Sequence, residues 1–293
     1  MPPKPDLSGT TLARRQLGKQ LKDLRIENGL TLDQLAARTD YSRTVLSRVE
    51  NGQQESKLRA ITDHLCAWYG LKAARTKYLQ SLAQDGKMSM WLQEHKDLID
   101  PGYSTYIELE SVASQLIAYQ SLAVPGLLQT PDYVRAMQRD VDGSTASEAE
   151  IERRIGFRIQ RAAILTRSHG PVRASFLLSE ILFTALGVGT DRQMAAQCYH
   201  VADLSTRDNI SIQLLKHNVG FPTGLIVTPY TMLGFPDSEP TVVFAETTVG
   251  AEFFEGEDQV RHFRAVHETL QRSALGEQES RDRLRKIARR YDQ

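Results

Sequence analysis

Through the first eighty positions apolar residues return every three or four places, which is the period of a helix; beyond them the runs are shorter and mixed. Leu17, Leu21 and Leu24 make one stripe, set among Arg14, Arg15, Lys19 and Lys22, and Asn28-Gly29 closes it. Thr31-Leu-Asp-Gln34 reads as a capping box for a second helix whose inner positions are Leu32, Leu35 and Ala36. Asp40-Tyr41 makes a turn, Ser42 is placed to cap a third helix, and Asn51-Gly52 stops it. Leu58, Ile61, Leu65 and Trp68 line a fourth helix, and Leu71, Tyr78 and Leu82 a fifth. The expectation is a five-helix all-α domain over residues 12–83, after a flexible tail at 1–11.

Gln84-Asp85-Gly86-Lys87 and Pro101-Gly102 break the pattern, placing a linker at 84–102. From 103 to 293 helices and strands mix without regular alternation, which predicts an α+β domain. Ile107 to Ala118 begins as helix and finishes as strand, SLAVPGLLQTPDY leads into a helix near Pro131, and Ser147 to Arg167 reads as a long charged helix. VRASFLL, ISIQLL, GLIVTPYTML and TVVFAE read as strands. Further helices are expected at 180–186, 191–204, 256–275 and 280–291.

A chain of 293 residues suits two domains, and 41% hydrophobic with 25% charged residues is a globular composition. No apolar run approaches the roughly 18 residues of a membrane span, and the polar, Pro-rich MPPKPDLSGT has no signal-peptide core. Two isolated cysteines, Cys66 and Cys198, fit a reducing cytoplasm and argue against a zinc site or a disulfide framework. Net charge is zero but uneven: residues 1–80 hold 14 basic and 8 acidic residues, the remainder 22 and 28. A basic N-terminal part on an acidic body points to a polyanion partner for the first domain.

The third helix sharpens that reading. On a helical wheel Arg43, Thr44, Ser47 and Arg48 share one side, and Val45, Leu46 and Val49 the other. The apolar side suits packing on the first two helices. The polar side offers guanidinium groups and hydroxyls, which suit base edges and phosphates. Its one carboxylate, Glu50, falls in the last turn, where it opposes the helix dipole and requires a cationic partner; Arg25 at the end of the first helix is the expected one.

The stretch LGKQLKDLRIENGLTLDQLAARTDYSRTVLSRVENGQ closely resembles the helix-turn-helix of the XRE/phage-repressor family. The resemblance rests on an Arg late in helix one, Gly-Leu-Thr, Leu-Ala in helix two and Ser-x-x-x-Leu-Ser-Arg-x-Glu-x-Gly. It implies base contacts from Arg43, Thr44 and Arg48 with Ser47 between them, Ser42 at the head of the reading helix, and an Arg25–Glu50 clamp. Many members carry Gln after the Thr that opens helix two; Leu32 stands there, so Thr31 and Gln34 are the expected phosphate contacts. YIELESVASQLIAYQSLAVPGLLQTPDYVRAM, ERRIGFRIQRAAIL and FLLSEILFTALGVG resemble actinobacterial regulators of the WhiJ type. One helix-turn-helix reads only a few base pairs, so a homodimer on a pseudo-palindromic operator is expected, cytoplasmic and nucleoid-associated, with no metal or cofactor. The WhiJ-type resemblance implies an effector-like second domain and a small neighbour-encoded partner protein. Where relatives often have Asp-Glu after the FLL strand, this chain has Ser179-Glu180.

The second domain shows no H-E-x-x-H, P-loop or G-x-S-x-G, and its histidines do not cluster. Glu108, Glu110, Glu180 and Glu246 sit at the ends of apolar segments, where solvated strand ends are the commoner explanation than catalysis. Cys198 reads as a core residue. Pro125, Gly126, Leu127, Leu128, Gln129 and Thr130 form either a ligand or partner loop or a rigid turn. The leading function is a non-enzymatic, sequence-specific transcription regulator whose second domain senses a ligand or small protein. The alternative is an antitoxin-like protein that mainly binds its partner and regulates its own operator.

Overall fold

The computed structural model describes residues 12–54, 56–83, 95–99, 101–141, 146–167, 170–185, 187–220, 222–224, 226–235, 240–247 and 250–292. The expected tail and most of the expected linker lie outside the described residues. The chain divides into two compact units between Val112 and Ala113.

The first unit contains α1 (Leu12–Glu27), α2 (Leu32–Arg38), α3 (Arg43–Glu50), α4 (Leu58–Trp68), α5 (Ala73–Ala83) and α6 (Pro101–Val112). By contacts, α6 groups with this unit. The stripe Leu17, Leu21 and Leu24 is buried with Leu35, Leu46, Val49, Leu65, Leu79 and Leu82. Two expected stops take the same form. After α1 the Gly29 and Leu30 amides return to the Ile26 and Arg25 carbonyls, and after α3 those of Gly52 and Gln53 return to Val49 and Arg48. This is a Schellman closure, and its left-handed residue is Gly29 (φ 67°) or Gly52 (φ 70°).

Gly18, inside α1, has a different reason. A Cβ there would stand 2.5 Å from the Glu50 carbonyl oxygen and 2.6 Å from that of Val49. The end of α3 therefore lies directly on the α1 backbone. Gly→Ala in a helix interior ordinarily stabilises by about 1 kcal/mol. Here Gly18→Ala is expected to reverse that sign and cost about 1–3 kcal/mol by prising α1 from α3. A thermal melt that rises or stays level would contradict so close a crossing.

The second unit is built on one six-stranded mixed sheet in the order β3-β2-β1-β4-β5-β6. Its strands are β1 (Gln115–Gln120), β2 (Arg173–Ser179), β3 (Ile210–Leu215), β4 (Tyr230–Gly234), β5 (Val242–Thr247) and β6 (Gly250–Phe254). β1, β2 and β3 are parallel, with Gln115 opposite Arg173 and Ala174 opposite Ile210; β1, β4, β5 and β6 run antiparallel in turn. Parallel neighbours need crossovers. α7 (Pro131–Val141) and α8 (Glu148–Ala162) supply the first, and α9 (Ile181–Thr184) and α10 (Asp191–Leu204) the second. α11 (Glu257–Arg272) places Val260, Phe263, Val266 and Leu270 against Tyr119, Leu177, Tyr230, Met232 and Val243 of the sheet. The alternate strand positions, among them Leu116, Phe176, Leu178, Leu214 and Leu233, are buried as well, so the sheet is covered on both faces.

α12 (Glu277–Tyr291) packs along α10 and β3. It also closes the free edge of β3. The Leu275 amide donates to the Leu214 carbonyl at 2.9 Å, and the Leu214 amide donates to Ser280 Oγ at 2.9 Å. An exposed strand edge is a template for unwanted pairing, and these bonds occupy it at Leu214.

Three sequence expectations need correction, and one strand is additional. The strand expected over GLIVTPYTML begins only at Tyr230, because Pro229 lacks the N–H that a ladder needs and Gly224 takes φ 71°. The helix expected at 180–186 is the single turn of α9. The long helix expected to reach Arg167 ends at Ala162 and tightens to a 3-10 turn over Ala163–Leu165. β6 was not expected at all, since GAEFF carries no clean alternation.

Candidate nucleic-acid interface

Two caps set the reading helix. Ser42 is extended (φ −68°, ψ 152°), and its Oγ accepts the Val45 amide at 3.3 Å, which starts α3. Thr31 Oγ1 accepts the Gln34 amide at 3.2 Å, and Gln34 Oε1 accepts the Thr31 amide at 2.8 Å, which starts α2. Between the two helices Tyr41 packs edge-on against His64 of α4, with its hydroxyl 3.3 Å from Nδ1. The turn is thus fixed to the scaffold.

α3 then sorts its side chains. Leu46 and Val49 are 1% and 2% exposed, while Arg43, Thr44 and Arg48 are exposed and Ser47 is half-buried. Ser47 lies by Asn51, whose Nδ2 donates to the Ser47 carbonyl at 2.8 Å. Arg48 Nη2 donates to the Gln53 carbonyl at 3.4 Å. Arg43 Nε lies 3.1 Å from Asp33 Oδ1 of α2. The acid missing from this face of α3 in the sequence is therefore supplied by its neighbour. No period of a single helix reveals such a pair; only the helix-turn-helix crossing brings positions 33 and 43 together.

The end of α3 is tied back to α1. Arg25 Nε and Nη2 donate to the two oxygens of Glu50 at 2.6 and 2.8 Å, and Nη1 donates to the Leu30 carbonyl at 2.8 Å. Side-chain exposures are 11% and 7%, so this fork-to-fork pair is largely shielded from water. The Glu50 hydrogen bond pushes the Arg25 guanidinium further up, against the opposing effect of burial. Nearby, burial and then the Glu50 charge push the Tyr69 phenol up to about 12.

The second unit disposes of its own candidates differently. Leu127 and Leu128 are core residues in a 3-10 turn, Gly126–Leu128, that follows Pro125. Gln129 Nε2 donates to the Val124 carbonyl at 2.7 Å and Gln129 Oε1 accepts from Arg158 at 2.8 Å. The wholly buried Gln197 of α10 accepts the Thr130 amide at 2.8 Å and donates to the Leu128 carbonyl at 2.6 Å. That is the geometry of a rigid turn. Gln197 was not singled out from the sequence; a polar residue on an otherwise apolar helical face was its signal.

Glu180 is not a solvated strand end. Its side chain is 1% exposed, it accepts Nε of Arg283 from α12, and His217 Nδ1 lies 3.5 Å from its second oxygen. A cleft of about 540 Å³, lined by Lys216, His217, Arg283 and Lys286 among others, opens beside it. Glu246, on β5, is exposed, and Glu110 is buried, accepting the Tyr106 hydroxyl at 2.6 Å. Glu108, on α6, is half-buried. Cys198 is wholly buried, and its surroundings push the thiol up to about 12, away from the thiolate a nucleophile needs. Among the described residues no His, Cys, Asp and Glu group could hold a metal ion, and no helix is long and apolar enough to cross a membrane.

Caps, buried inner stripe and exposed outer face together define a helix-turn-helix protein. Residues 16–79 match the helix-turn-helix domain family, and residues 103–286 match a domain of unknown function, DUF5753. The second match spans more than half of the chain, so the chain belongs to the DUF5753 family, with a helix-turn-helix domain ahead of it. No curated protein and no solved structure matches it.

Proposed function

We propose that the protein is a sequence-specific, DNA-binding transcription regulator of the XRE class and WhiJ type, acting in the cytoplasm at the nucleoid. The observation that carries this reading is the outer face of α3. Arg43, Thr44 and Arg48 stand exposed around Ser47, on a helix whose other face is buried and whose end is held by Arg25 and Glu50. In this reading Arg43 and Arg48 meet base edges, Thr44 and Ser47 add hydroxyl or methyl contacts, and Ser42, Thr31 and Gln34 lie along the phosphates. The six-charge basic excess of residues 1–80 supplies sequence-independent attraction.

One such helix covers only a few base pairs. A homodimer with reading helices about 34 Å apart on a pseudo-palindromic operator is the form this module requires for specificity. The α+β unit then serves dimerisation and the binding of an effector or small partner protein, rather than catalysis.

Selection of duplexes from a random library by the purified full chain tests the reading. Arg43→Ala and Arg48→Ala are each expected to weaken the selected site by about 1–3 kcal/mol and to relax preference at particular positions. Wild-type affinity for the selected site in both variants would show that this face does not read DNA.

A further inference from the structure

Arg43 stands beside an acid before any partner arrives. Its Nε lies 3.1 Å from Oδ1 of Asp33, in the first turn of α2, and both side chains are largely exposed. A guanidinium is a rigid planar fork with five donors. With Nε beside Asp33, Nη1 and Nη2 remain as a side-by-side pair. Such a pair matches the O6 and N7 acceptors that guanine presents in the major groove. Arg48 shows the contrast: its described partner is the Gln53 carbonyl, at the far end of the helix.

Asp33 also has an adverse side. A carboxylate on the face that meets DNA repels phosphate and cancels the attraction Arg43 would lend to any duplex. An exposed ion pair adds little to folding. Asp33 does suit the positive end of α2, which makes a purely structural role the competing account.

The geometry points to Asp33 as a specificity-determining positioning residue. It presets Arg43 for guanine and lowers the sequence-independent affinity that would blur the choice. This rests on the DNA-binding reading above.

The test uses the full chain as wild type, Asp33→Ala, Arg43→Ala and the double variant. Dissociation constants are measured for the selected duplex, for every single-base change in it, and for an unrelated duplex of equal length. The position relaxed by Arg43→Ala is expected to be a guanine. At that position Asp33→Ala loses roughly threefold to tenfold in discrimination, while binding of the unrelated duplex tightens. In the Arg43→Ala background, removing Asp33 leaves base preference unchanged. Three results would overturn the assignment: unchanged discrimination in Asp33→Ala, a loss spread evenly over all positions, or weakening of both duplexes together, which is what a structural role produces. A wild-type chain that does not distinguish duplexes at all overturns this inference and the DNA-binding reading alike; the other three results leave that reading standing.

Discussion

Glu50→Ala in the full chain lowers the unfolding midpoint of the helix-turn-helix unit by more than about 10 °C. The substitution leaves the Arg25 side chain, 11% exposed, between α1 and α3 with the Leu30 carbonyl as its remaining described partner. Breaking one side of a shielded ion pair costs about 3–5 kcal/mol, because the orphaned charge stays desolvated. In a unit of this size each kcal/mol moves the midpoint by about 4–8 °C. Arg25→Ala is expected to act in the same direction. Replacing both with apolar residues, Arg25→Met with Glu50→Leu, should recover most of the loss, since no bare charge remains. Differential scanning calorimetry of the full chain, followed at the transition that contains the helix-turn-helix unit, reads all three. A midpoint unmoved by Glu50→Ala would mean the pair adds nothing to the anchoring of α3.

The second large effect lies in the α+β unit and is asymmetric. Glu180 is 1% exposed and Arg283 is 29% exposed. Arg283→Ala strands a carboxylate in the interior and is expected to cost about 3–5 kcal/mol. Glu180→Gln removes the charge that needs compensation and leaves an arginine that can reach water, so about half that loss is expected. His217, 68% exposed and 3.5 Å from Glu180, is too solvated to replace the guanidinium. Chemical denaturation of the two variants measures the order, and equal losses would count against the buried carboxylate as the cause.

The helices of the first unit were legible because their signals are local. Thr31, Ser42, Gly29 and Gly52 act within five residues of themselves, and Leu46 and Val49 are fixed by helical period alone. The strands VRASFLL and ISIQLL were legible too, since each is a short, mostly apolar run. What escaped depends on distance along the chain. Glu180 meets Arg283 across 103 positions, and Gln197 holds the Pro125–Thr130 turn from 67 positions away. The Asp33–Arg43 pair and the tight seat of Gly18 on α3 depend on a crossing geometry that no single helix encodes. β6 escaped because a glycine and a glutamate interrupt its alternation and its partner strand supplies the reason to extend.

The bonds from residues 275 and 280 to Leu214 carry a consequence for biosynthesis. All six strands leave the ribosome before those residues do, so the nascent unit passes through a stage with its sheet assembled but one flank raw. A message cut short in the codons between β6 and α12 would yield that stage as its final product. Such a product is prone to stack with its own kind through the β3 flank, and is suited to clearance by the cell's quality control.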